Sequence, residues 1–132
     1  MQPYRTHDDG PLTTIEHDRP GWISVRMIYD QPGCRTRLHV HRFDHEMECE
    51  AGAALIEIDG QRQVVQVGDR YLVENGKAHG VTPLRSGTVL LCRHEIRREN
   101  GEIDPDAFSA EGIPVEWLQR LTETWGPDHV AG

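Results

Sequence analysis

The residues of this chain whose types and spacing could do chemistry are histidines. His39, His41 and His45 lie in the run Gly33-Cys-Arg-Thr-Arg-Leu-His-Val-His-Arg-Phe-Asp-His-Glu46. His79 follows thirty-four residues after His45, in Gly68-Asp-Arg-Tyr-Leu-Val-Glu-Asn-Gly-Lys-Ala-His79. Neutral imidazole is the commonest nitrogen ligand of first-row transition metals. Two histidines one residue apart on a strand project from the same face, about 7 Å apart along the chain, close enough to share one ion. The pattern therefore points to a metal centre held inside a β structure.

The segments that must position these side chains read as short strands. Trp22–Tyr29 is rich in β-formers and closes at the turn cluster Asp30-Gln-Pro-Gly33. Arg37–Phe43, His45–Glu50 and Ala53–Ile58 follow, and Asp59-Gly60 is a strong hairpin signal before the return strand Gln63–Val67. Tyr71–Val73, His79–Thr82 and Thr88–His94 complete the series. Short strands with this regular spacing predict an all-β sandwich or small barrel rather than an alternating α/β sheet.

The ends differ in character. Residues 1–20 are polar, carry Pro3, Gly10, Pro11 and Pro20, and are expected to form an arm or edge strand. The barrel is expected over 21–98. A C-terminal extension, 99–132, places Trp117, Leu118, Leu121 and Trp125 on one helical stripe that Gly126-Pro127 ends, which predicts a short α-helix at about 113–125. That helix is expected to pack its apolar face on the barrel, with a lid or a dimer contact as the alternatives.

Bulk properties narrow the function. At 132 residues, 36% hydrophobic and 27% charged, the chain fits one globular domain with a real core. A formal charge of −8 argues against nucleic acid as a partner, because phosphate binding needs a basic surface. No apolar run approaches the roughly 20 residues needed to cross a bilayer, and the N-terminus lacks the order of a secretory signal, so no membrane role and a cytoplasmic location are expected. The three cysteines, Cys34, Cys49 and Cys92, suit reduced buried thiols rather than a disulfide framework.

The spacing of glycines around the histidines resembles the cupins, small antiparallel β-barrels that hold a metal inside. Their first motif is matched by Gly33, five residues, His39-Val-His41, three residues, His45, six residues and Gly52. Their second is matched by Gly68, five residues, Glu74-Asn-Gly76, two residues and His79. The resemblance covers about residues 22–95 and implies an all-β, cupin-type antiparallel barrel or jelly roll. The chain departs from the pattern at Glu74 and Pro83, where the family has proline and asparagine, and at His45, where it usually has glutamate. Register against Gly52 favours His45 as the third ligand, and Glu46 is the alternative. With His39, His41, His45 and His79, the chain looks like the cupin subgroup that binds manganese or iron through four histidines; zinc, nickel and copper stay open.

A charge-neutral set of imidazoles leaves the ion a strong Lewis acid and favours anionic or chelating small-molecule substrates. The lack of thiolates argues against structural zinc. Strand parity puts Arg35 and Arg37 on the face of His39 and His41, as a carboxylate clamp or at a solvent-exposed mouth. Met47 and Cys49 share the face of His45, as pocket wall or plain core. The facing of Tyr29, Tyr71 and Arg26 is not set by sequence. The resemblance implies a non-haem iron or manganese dioxygenase-type oxidoreductase. The alternatives are a redox-neutral isomerase, lyase or decarboxylase, whose base would come from Glu46, Glu48 or Tyr71, and a non-catalytic small-molecule-binding cupin. No catalytic residue is named by sequence, His7, His17, His94 and His129 match no motif, and family analogy points to a homodimer.

Overall fold

The computed structural model describes residues 3–5, 7–19, 21–41, 43–96 and 100. The C-terminal extension and its expected helix lie outside the described residues. Nine strands follow one another: β1 (Leu12–Arg19), β2 (Trp22–Tyr29), β3 (Thr36–His39), β4 (His45–Ala51), β5 (Ala53–Ile58), β6 (Gln61–Gln66), β7 (Arg70–Val73), β8 (His79–Pro83) and β9 (Thr88–Glu95). They form a five-stranded sheet in the order β1-β2-β9-β4-β7 and a four-stranded sheet in the order β3-β8-β5-β6. Every described strand pair is antiparallel. This is the all-β jelly-roll architecture. Among the described residues, no helix is long and apolar enough to cross a membrane.

Alternation explains why the sheets close on a common interior. Along β4, His45, Met47 and Cys49 are buried while Glu46, Glu48 and Glu50 are not. Their carboxylates meet arginines on the outer face: Glu48 lies 3.0 Å from Arg70, and Glu50 accepts a bond of 2.8 Å from Arg26. Such exposed pairs stabilise little; the fold rests on the apolar side, where Ile23, Val25, Tyr29, Ile56 and Leu90 are each at most 1% exposed. The β5–β6 hairpin turns at Asp59 (φ 51°) and Gly60 (φ 81°), the two positive φ angles that a type I′ turn requires.

Gly52, at the turn between β4 and β5, is a different case. Its φ is +73°, and a Cβ there would lie 2.5 Å from Oγ1 and 3.0 Å from Cα of the fully buried Thr88. Gly60 has the same kind of backbone but nothing within 4 Å. Gly52→Ala should therefore cost about 2–4 kcal/mol, combining left-handed strain with overpacking. Gly60→Ala carries the backbone term alone, about 1 kcal/mol. In thermal melts, Gly52→Ala should fall by roughly 10 °C and Gly60→Ala by a few degrees; equal shifts would mean that Thr88 is not the obstacle.

Candidate metal centre

Strand pairing brings the first two histidines together. His39, the last residue of β3, is the register partner of His79, the first residue of β8. Their ring centroids are 4.1 Å apart. The His39 Nδ1–H donates to the Arg37 carbonyl (2.8 Å), and the His79 Nδ1–H donates to the Lys77 carbonyl (3.0 Å). Anchoring Nδ1 on a carbonyl fixes the tautomer and leaves the Nε2 lone pair for a metal.

His41 lies just beyond β3 in an irregular segment, 5% exposed, with its carbonyl accepting a bond of 2.9 Å from the Gly76 N–H. Its Nε2 is 2.9 Å from Nε2 of His39. Two nitrogens bound at right angles to one ion, each at about 2.1 Å, are about 3 Å apart, so this spacing fits a shared metal. One ligand nitrogen from each of His39, His41 and His79 lies within 4.8 Å of the others, so these three could hold a metal ion.

His45 opens β4 beside them, 3% exposed, its ring 4.8 Å from His79 and 5.3 Å from His41. Its Nδ1 is buried with no hydrogen-bond partner among the described residues. A buried orphan nitrogen is rare in a native structure and calls for an explanation, an ion being one. Glu46, the alternative ligand, has its carboxylate on the outer face, 4.0 Å from Arg70.

The electrostatics suit ligation. Burial pushes His41 down to about 3, helped by the neighbouring His39 and His79. It pushes His45 to about 2, and His79 and His94 to about 4, against an ordinary value of 6.5. All four are therefore neutral near pH 7, the form that binds a metal.

The rings of His39, His41, His45 and His79 form one side of a cavity of about 480 Å³ whose wall includes Met27, Met47 and Cys92. The two arginines stand at its rim. A register shift between Thr36 and His39 breaks the parity that would aim Arg35 and Arg37 inward. Thr36 turns toward the interior instead, with its hydroxyl 2.6 Å from that of the buried Tyr29. The arginine side chains are 56% and 64% exposed and share the Asp9 carboxylate at 3.4 and 3.0 Å. The Arg37 guanidinium, followed by that of Arg35, holds the Asp9 carboxyl below its usual range. Met47 is on the wall, whereas Cys49 lies outside the cavity in the core, its thiol pushed up by burial.

The other residues left open by sequence also find their places. Tyr71 accepts a hydrogen bond of 3.0 Å from the Gln63 amide, and Arg26 pairs with Glu50. Glu46, Glu48 and Tyr71 are not among the residues lining the cavity. Two histidines without a motif do approach the site: His7 lines the cavity, and His94 is fully buried and stacked on Phe43, which stacks on His41. Parity along β9 carries the signal for His94, because Leu90, Cys92 and His94 all turn inward. His7 sits in an arm whose path no periodicity foretells.

No family model matches the chain, and no curated protein matches it in sequence. Solved structures do. KdgF from a Halomonas species aligns with a TM-score of 0.65 at 20% identity, covering 75% of this chain and 89% of that one. An RmlC-like cupin from Shewanella frigidimarina NCIMB 400 aligns at 0.52 and 24%, covering 75% and 97%. A conserved protein with a double-stranded β-helix domain from Klebsiella pneumoniae subsp. pneumoniae MGH 78578 aligns at 0.56 and 17%, covering 67% and 79%.

Proposed function

For a chain with the cupin fold, we infer a metal-dependent oxidoreductase of the dioxygenase type, holding iron or manganese and acting on a small chelating anion. The observation that carries this reading is the convergence of three imidazoles, His39, His41 and His79, on a cavity with two arginines at its rim. His45 is proposed as the fourth ligand. An iron or manganese ion bound there would polarise a chelating substrate and supply the redox chemistry toward dioxygen.

The chain's own residues supply binding and shape. Arg35 and Arg37 present guanidinium groups that can pair with a substrate carboxylate in place of Asp9. Met27, Met47 and Val81 give the wall an apolar surface, which favours a compact carbon skeleton behind the anionic end. Glu46, Glu48 and Tyr71 are absent from the cavity lining, so the carboxylates and the phenol that an isomerase or lyase would call on stand elsewhere. His7 is the observation that keeps the redox-neutral reading as a second choice, because it lines the cavity and could move a proton.

Oxygen consumption by iron- or manganese-loaded protein, screened against diketones, catechols and thiols, tests the first reading. Substrate-dependent uptake is expected; a substrate converted with a flat oxygen trace would replace it with the second. Once a substrate is found, Arg37→Ala should raise KM about tenfold with little change in kcat. That is the pattern of lost uniform binding, scaled down for an exposed charge. A fall in kcat at constant KM would remove Arg37 from substrate binding.

A further inference from the structure

His41 differs from the other two clustered histidines in how it is held. His39 and His79 sit on paired strand ends with Nδ1 tied to a carbonyl. His41 lies outside any strand; the Gly76 N–H bonds its carbonyl, and its ring meets the His39 ring at 2.9 Å, Nε2 to Nε2. Rotation of an imidazole about its terminal torsion is broad and roughly two-fold, so the ring plane can be set by a flat neighbouring face.

A column of three rings supplies one. His94 is fully buried on β9, in register with Ile23 of β2, and its Nδ1 is 3.2 Å from the Glu95 carbonyl. Phe43 stacks on His94 with centroids 4.1 Å apart and planes at 20°. His41 stacks on the other face of that contact, 4.7 Å from Phe43 with planes at 18°. Phe43 also meets His45 edge-on, with centroids 6.0 Å apart at 61°. The column thus runs from the central strand of the five-stranded sheet to His41 in an irregular segment, and it ends where Nε2 of His41 faces Nε2 of His39 at 2.9 Å.

We propose that Phe43, backed by His94, is the positioning residue that sets the ring plane of His41. Its purpose rests on the metal-centre reading above; its geometry rests on the stack alone. A flat aromatic face restrains a neighbouring ring in a way that an aliphatic side chain of similar volume does not. Phe43→Leu keeps apolar bulk and removes the face, whereas Phe43→Tyr keeps the face.

The test uses metal-free, ring-labelled protein first, by NMR. In Phe43→Leu the His41 ring should lose its ring-current shift and become more mobile, while the His39 and His79 rings stay ordered; Phe43→Tyr should match the parent. Calorimetric titration with manganese should then show affinity weakened about 10–100-fold in Phe43→Leu and restored in Phe43→Tyr, the range for lost ligand support. A His41 ring as ordered in Phe43→Leu as in the parent would overturn the proposal, as would unchanged manganese affinity. If the parent takes up no manganese, the manganese form of the metal-centre reading falls, and the ring-order comparison still decides whether Phe43 holds His41.

Discussion

Replacing His41 with alanine should strip the metal from the purified protein. The three clustered histidines place one nitrogen each within 4.8 Å of the others, and His41 comes within 2.9 Å of His39. Without it, His39 and His79, with His45 beside them, would have to bind an ion with one fewer donor, and among the described residues no carboxylate lines the cavity to replace it. Loss of a residue that merely supports a ligand costs about 10–100-fold in affinity, so loss of a ligand should exceed about 100-fold. Elemental analysis after dialysis should find the parent loaded and His41→Ala empty. His7→Ala, at the cavity wall but outside the cluster, should keep its metal. Equal metal content in the parent and His41→Ala would end the assignment of this site. Metal loss in both variants would mean that occupancy follows the cavity rather than the cluster.

The second large effect is acid sensitivity of the metal-free protein. His41, His45, His79 and His94 are each depressed far below 6.5 by burial. A depressed base binds protons more readily when unfolded, so its contribution to stability is intact above 6.5 and falls as pH drops below it. The fall continues until pH reaches the folded values, near 4 and below. At pH 5 every one of these groups opposes folding, and together they should remove a large share of the small net stability of a domain this size. Chelator-treated protein should therefore melt cooperatively at pH 7 and lose most of its stability by about pH 5. Asp9 and Asp30, whose arginine partners hold them below an ordinary 3.8, act only in a more acid window. A melting temperature that stays level from pH 7 to 4.5 would show that the imidazoles are accessible to protons in the folded state.

Much of the barrel is legible in the sequence because strand periodicity and turn chemistry are local. Trp22–Tyr29 and Ala53–Ile58 are strands over the ranges that residue type predicts, and Asp59-Gly60 makes the expected turn. The strand expected over Arg37–Phe43 ends at His39, because the segment beyond it carries His41 and Phe43 in the ring column instead of continuing the ladder.

The sequence by itself determined that these histidines belong together, since fixed offsets from Gly33, Gly52 and Gly68 can be counted along a chain. Register against Gly52 favours His45 over Glu46, and in the fold His45 is buried beside the cluster while the Glu46 carboxylate lies on the outer face. Only the tertiary structure decided what surrounds them. The register shift in β3 sends Arg35 and Arg37 to the rim, and a shift of register depends on the partner strand rather than on residue type. His7, Phe43 and His94 reach the site from separate segments, one in the arm, one between strands and one on β9. Their meeting is set by how two sheets fold over each other, a long-range packing outcome that no local spacing records.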